Sequence, residues 1–163
     1  MNLPRPTTDR GHLFWFFSAL GLAVAQTASP TGAILPTPTR VSGHVYAWIG
    51  PHGGPNPENK GFRMNMGFVV GKDAVAVIEA GYHKLMAREM LQHIAKVTPA
   101  RVKYVINTNS QPEPFLGNEY FRHQGALVNA SAAEAKRMAA MGRMFAEASE
   151  HALRLKSGVI QKL

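Results

Sequence analysis

The 163-residue chain contains no cysteine. That absence excludes disulfides, thiolate zinc sites and a cysteine nucleophile. Acidic residues are also scarce, 10 against 18 Lys and Arg, which gives a formal net charge of +8. A surplus of that sign attracts nucleic acid or anionic lipid when it is concentrated in a run. Here Arg63, Lys72, Lys84, Arg88, Lys96, Arg101 and Lys103 stand apart, which predicts a solvated basic surface and no nucleic-acid partner. No internal repeat is visible. The glycine-rich stretch "GPHGGPNPENKG", Gly50 to Gly61, lacks both the Lys-Ser/Thr of a phosphate loop and the GxGxxG spacing. Ser110 has no neighbouring base to activate it as a nucleophile. Nor is there an apolar run of the roughly 20 residues that a stable membrane anchor requires.

What is present begins with a shorter apolar run. Arg5 and Arg10 precede Leu13 to Ala25 (LFWFFSALGLAVA), which closes on Ala23-Val24-Ala25. Positive, then apolar, then small is the order of an export signal. It predicts a signal peptide over 1–25, cleavage near Ala25, and a periplasmic or secreted mature chain. An adjacent arginine pair is missing and no cysteine follows the cleavage point, so neither twin-arginine export nor lipid anchoring is indicated. Removal of the segment takes Arg5, Arg10 and Asp9 with it and leaves a charge of +7.

Residues 26–40, rich in Thr and Pro, read as a linker, and 41–163 as one domain. Val41 to Ile49 alternates as a strand, with Val45, Ala47 and Ile49 on one side and Tyr46 and Trp48 on the other. Gly50 to Gly61 must be a loop, because four glycines and three prolines in twelve residues support neither a ladder nor a helix. "MGFVVG" and "AVAVIEAG", separated by Lys72-Asp73, predict an antiparallel hairpin. From His83 to Val97 the period becomes helical, with Met86, Met90, Leu91 and Ile94 on one face, and Thr98-Pro99 ends it. "RVKYVIN" predicts a mostly buried strand, followed by the polar stretch "INTNSQPEPFLGNEYF". A short helix within Leu116 to Gln124 and a short strand at Ala126 to Val128 come next. Ser131-x-x-Glu134 is a capping box, and it opens a long helix with an apolar stripe at Met138, Met141, Phe145, Ala148, Ala152 and Leu155. The sequence of elements is mixed α/β. Loops at the carboxyl ends of strands are the usual ligand sites of such sheets, which singles out the stretch after "RVKYVIN".

Several motifs carry a resemblance: "HGG" and "NKGFRMNMGFVVG" in the loop and the strand after it, "AVAVIEAG" as an apolar strand, "VTPARVKYVINT", and "FLGNEYF". With these the chain, from about Val45 to Ala135, resembles the metallo-β-lactamase superfamily. It is most similar to the exported branch of quinoprotein-relay and sulfur-oxidation-associated zinc hydrolases. The resemblance implies an α/β (α+β) fold, the N-terminal half of an αββα sandwich. It implies only the first of two αβ halves, since the chain stops at Leu163. The family's T-H-x-H-x-D-H signature brings imidazoles and a carboxylate onto zinc, which lowers the pKa of a bound water. Aligned on Thr108 and Leu116-Gly117-Asn118, the three histidine positions become Asn109, Gln111 and Pro114, and the aspartate becomes Glu113. An aspartate at the end of the preceding strand becomes Glu79.

Neutral amide oxygens bind zinc far less readily than imidazole does, proline offers no donor, and one carboxylate does not hold the ion. The expectation is therefore a non-catalytic binding or scaffold protein with no cofactor. The alternative is a zinc-dependent hydrolase with substitute ligands, for which His52, His83 and Glu113 are the candidates. Without a metal role, His52 is a solvated loop residue and His83 a residue at a helix start. His93, His123 and His151 are expected on helix surfaces, and His44 has no evident partner. A half-sandwich would leave one sheet face uncovered, so either the long C-terminal helix folds over it, or a homodimer or another protein partner covers it.

Overall fold

A computed structural model describes residues 32–155 and residue 160, so the expected signal peptide and its cleavage point lie outside the described residues. The stretch expected as one strand from Val41 to Ile49 is part of a hairpin: β1 (Thr39–Ser42) turns at Gly43 and returns as β2 (Val45–Trp48). Gly43 takes φ +25°, a conformation that glycine reaches without a Cβ penalty. Within β2 the alternation holds. Trp48 is buried and Tyr46 stacks on Phe68 at 4.8 Å, while Val45 and Ile49 face solvent.

β3 (Met66–Val70) and β4 (Val75–Ile78) form the expected antiparallel hairpin, closed where the Gly71 N–H donates to the Ala74 carbonyl at 2.8 Å. Helix α1 (Lys84–Val97) then crosses the sheet and returns the chain as β5 (Val102–Ile106), parallel to β4. Two short helices, α2 (Pro112–Phe115) and α3 (Asn118–His123), lead to β6 (Leu127–Asn129), parallel to β5, and α4 (Ala132–Leu153) follows. The six strands lie in sequence order, antiparallel through β4 and parallel beyond it. α2 was not expected. Proline at its first turn explains it, since the fixed φ suits a helix start and no N–H is wasted there.

The core lies on one face of the sheet. Trp48, Phe68, Val75, Val77 and Val105 cluster with Met86, Met90 and Ile94 of α1 and Phe121 of α3. Each large side chain buried there stabilises the fold by roughly 1.5–3 kcal/mol. Part of the expected linker belongs to this unit. Leu35 is buried, the Trp48 indole donates to the Pro36 carbonyl at 2.9 Å, and the Ile34 N–H donates to the Glu89 carboxylate at 2.8 Å. The apolar Ile34-Leu35 pair is what draws this Pro/Thr-rich segment onto the core.

β5 is not mostly buried as expected. Val102 and Val105 face the core, but Tyr104 and Ile106 point to the uncovered side. An apolar strand reads as buried on both faces only where both faces are covered.

Helix α4 is capped as predicted, with Ser131 Oγ accepting from the Glu134 N–H at 3.2 Å. Its buried positions are Met138, Gly142, Ala146, Ser149 and Leu153, so the contact face is rotated from the expected stripe, and Ala148 and Ala152 are exposed. Met138 and Phe145 of the expected stripe still pack in the cluster around Phe115, with Ala146 beside them. α4 packs on α2, where Phe145 meets Phe115 edge-on at 6.3 Å. It does not fold over the outer sheet face. Among the described residues no helix is long and apolar enough to cross a membrane.

Candidate functional site

Because β4 and β5 run parallel, their carboxyl ends open on one rim. Residues 79–82 follow β4 and residues 107–111 follow β5. The rim is held by asparagines. Asn107 donates its backbone N–H to the Asn129 carbonyl at 2.9 Å and its Nδ2 to the Pro114 carbonyl at 2.8 Å. That orientation leaves Asn107 Oδ1 to accept from Asn118 Nδ2 at 2.7 Å, and it fixes the Asn118 amide in turn. Asn118 Oδ1 is then buried without a hydrogen-bond partner.

Glu79 sits at the end of β4 with φ +66° and is 4% exposed. A left-handed backbone at a residue other than glycine costs on the order of 1–3 kcal/mol, and such strain collects at functional rims. The Glu79 N–H donates to the Ile106 carbonyl at 2.9 Å. Its Oε1 accepts from the Thr108 N–H at 3.1 Å and from the Thr108 hydroxyl, so the carboxylate ties the two strand ends together. Its Oε2 is buried with no hydrogen-bond partner.

The second acid of the rim has a different environment. Glu113 is 8% exposed in the first turn of α2, and its Oε1 accepts from Arg63 Nη1. The same guanidinium donates from Nε to the Gly53 carbonyl at 2.6 Å, which fastens the Gly/Pro loop to the loop after β5. Beside this pair, buried Tyr82 accepts from Ser149 Oγ of α4 at 3.1 Å. Burial pushes the Tyr82 phenol up, and the Glu113 charge adds to the rise, while the Ser149 bond and the Arg63 charge oppose it.

Of the residues singled out in the sequence, Asn109 and Gln111 are exposed, and Asn109 Oδ1 accepts from the Gln111 N–H at 2.9 Å in an Asx turn. Pro114 is buried, and its carbonyl accepts from the Ala80 N–H at 2.5 Å as well as from Asn107. His52 is exposed in the Gly/Pro loop. His83 is fully buried. Its Nδ1 accepts from the Met86 N–H at 3.2 Å, so the proton is on Nε2, which donates to the Lys60 carbonyl at 2.8 Å. Burial holds its pKa below the usual value; the Lys60 bond opposes this and the Lys60 charge adds to it. Both ring nitrogens are thus engaged in capping α1 and fixing the loop. Among the described residues no three His, Cys, Asp or Glu side chains are grouped as metal ligands would be.

His93, expected on the surface, is half-buried and meets Trp48 edge-on at 5.9 Å. His44 and His151 are exposed, and His123 pairs with Glu119 at 2.9 Å. Arg63, Asn107, Asn118, Tyr82 and Ser149 were missed. The available signals were an acid set against the apolar Pro114-Phe115-Leu116, which calls for a cation when it is buried, and a serine interrupting the apolar side of a helix.

No protein-family model matches the chain, and no curated protein matches it. Among solved structures it is similar to a metallo-β-lactamase from Hirschia baltica, with TM-score 0.55 and 12% identity over 64% of this chain and 47% of that one. It is similar to one from Pontibacter korlensis, with TM-score 0.53 and 20% identity over the same 64% and 47% shares. The mono-zinc form of FIM-1 from Pseudomonas aeruginosa gives TM-score 0.55 and 17% identity over 70% of this chain and 49% of that one. At such identities the likeness concerns the fold alone, and this chain spans about half the length of the structures it matches. Its mixed six-stranded sheet with flanking helices is a partial metallo-β-lactamase fold.

Proposed function

We propose that the chain is an exported, non-catalytic binding or scaffold protein on a partial metallo-β-lactamase fold. In this reading the loop after β5 no longer holds zinc and is closed by an ion pair within the protein. The observation that carries it is the Arg63–Glu113 pair: the one carboxylate left among the family-motif positions is bound by a guanidinium. The other three positions supply two exposed amides and a buried proline. This donor set does not fit a zinc ion, which takes imidazole, thiolate or carboxylate ligands in tetrahedral array. Glu79 retains one unpartnered buried oxygen, but a single oxygen is not a site.

The test is metal analysis of the purified chain, with zinc titration against a competing chelator and an assay of a chromogenic cephalosporin. No stoichiometric zinc and no turnover are expected. Stoichiometric zinc that is lost in Glu113→Ala would overturn the reading and favour a zinc hydrolase with substitute ligands.

A further inference from the structure

Between α3 and the first half of α4 lies a cavity of about 410 Å3, within the size range of small-ligand sites. Phe115, Val128 and Met138 give it an apolar lining. Val128 packs on the core from β6, so the cavity belongs to the helix side of the sheet, and the uncovered outer face has no part in it. Its α4 wall is Ala135, Ala139 and Arg143, residues that step by four along one face of the helix. The two alanines leave the room. Ile160, the described residue beyond Leu155, joins the cluster of Phe115 and Met138 but is not one of the walls.

Three polar groups border this space. Asn118 is 2% exposed, its Nδ2 is engaged with Asn107, and its Oδ1 has no hydrogen-bond partner. A buried acceptor left in that state is unfavourable, and a donor entering the cavity would relieve it. Arg122 follows Asn118 by four positions on α3 and so shares its face, while Arg143 stands on the α4 wall. Each arginine holds a glutamate of its own helix through one nitrogen, Arg122 Nη1 to Glu119 at 3.3 Å and Arg143 Nε to Glu147 at 3.1 Å. Those pairs are exposed and weak, and neither acid lines the cavity. Each guanidinium keeps further N–H donors for a ligand.

We infer that the cavity binds an apolar organic acid that carries an N–H or O–H donor on its body. The carboxylate is held by Arg122 and Arg143, and the donor reaches Asn118 Oδ1. An inorganic anion would leave the apolar lining wet, and a neutral apolar molecule would leave the arginines without a partner in the cavity. The fork of a guanidinium suits a carboxylate, and the net charge of +8 favours an anion. Residues 107–111 form none of the walls, so zinc analysis of the loop after β5 can come out either way without affecting the cavity.

Calorimetric titration of the purified chain with indolepropionate tests it. A Kd at or below about 1 mM is expected for an acid of this size. Indolepropionamide, which lacks the charge, should bind about 10-fold more weakly or worse, and benzothiophenepropionate, of the same shape without the N–H, about 3-fold more weakly or worse. Arg143→Gln should weaken the acid by about 10-fold. Ala139→Trp fills the space and should abolish binding. Arg137→Gln, on α4 but outside the cavity, should change nothing. Far-UV circular dichroism checks that the variants fold, and the comparison of the three ligands needs no variant. The absence of any binding at about 10 mM acid overturns the inference. Equal affinity for the acid and either analogue, or binding that survives Ala139→Trp in a folded chain, overturns it as well.

Discussion

Arg63 and Glu113, fifty positions apart in the chain, meet as an ion pair that joins the Gly/Pro loop to the loop after β5. The acid is buried, and the arginine side chain is 36% exposed, so water screens part of the attraction. Removing the arginine leaves a buried carboxylate uncompensated, whereas Glu113→Gln leaves a neutral group that can still accept from the guanidinium. Arg63→Met should therefore cost about 2 kcal/mol and Glu113→Gln about 1 kcal/mol. Urea unfolding of both single variants and the double variant should give a coupling energy on the order of 1 kcal/mol. Strict additivity would show that the pair contributes nothing to holding the rim.

His83 makes stability depend on pH. Its pKa is depressed in the folded chain, with burial the main cause. The unfolded chain takes up the proton near the usual value of 6.5, and the folded chain does so only at lower pH. The stability contributed by neutral His83 is thus fully present above 6.5 and is lost as pH falls below it, toward the folded value. His93, lowered by burial with the Lys96 charge adding, acts in the same direction. His83→Asn keeps an oxygen to cap α1 but cannot titrate. It should reduce stability at about pH 7.5 and flatten the decline toward about pH 5.5, leaving the part due to His93. Urea midpoints at the two pH values distinguish this from a general loss of stability, which would lower both midpoints equally.

Gly117 permits the close crossing of the α2–α3 junction over the end of β4. Its N–H donates to the Gly81 carbonyl at 2.9 Å, and a Cβ there would lie 2.2 Å from the Ala80 carbonyl oxygen. Its φ of −82° is ordinary, so the requirement is steric and not conformational. Gly125 is the reverse case, with φ +85° and open space around it. Gly117→Ala should cost about 3 kcal/mol, and Gly125→Ala about 1 kcal/mol. Equal costs in denaturant titration would mean that the junction is looser than its contacts imply.

The elements legible in the sequence were those fixed by local chemistry. The β3–β4 hairpin was announced by two apolar runs around Lys72-Asp73, α1 by its period and its Thr98-Pro99 stop, and the start of α4 by Ser131 and Glu134. Gly43 was lost inside an alternating run, where one glycine does not by itself mark a reversal. The face of α4 was misjudged in its second half, where Ala148 and Ala152 continue the apolar period but are exposed, and Ser149 and Leu153 are buried instead. The Ser149 bond to Tyr82 and the contact of Phe145 with Phe115 fix that face, and both partners lie far away in the chain, where sequence period does not reach. The rim was legible only through the resemblance, as the positions Asn109, Gln111, Glu113 and Pro114. The pairing of Glu113 with Arg63, and of Asn107 with Asn118, depends on which loops the fold brings together.

The Arg63–Glu113 pair also predicts how a zinc site could be built into this loop. Asn109 and Gln111 are exposed, so Asn109→His and Gln111→His can be introduced without disturbing the core. With Arg63 present, the new imidazoles lack a free carboxylate, and the nearby guanidinium adds repulsion toward a dication. Adding Arg63→Ala releases Glu113 and removes that charge. Zinc affinity of the triple variant should exceed that of the double histidine variant by about 10-fold or more, as when a group that engages a metal ligand is altered. The stability lost with the arginine should in turn be recovered as zinc is raised, growing with the logarithm of its concentration once the site is saturated, since the metal binds only the folded rim. Chelator competition and thermal unfolding at graded zinc check both outcomes. Equal affinity with and without Arg63 would mean that the guanidinium does not compete with the metal for Glu113, and the ion pair would then no longer support the proposed non-catalytic reading.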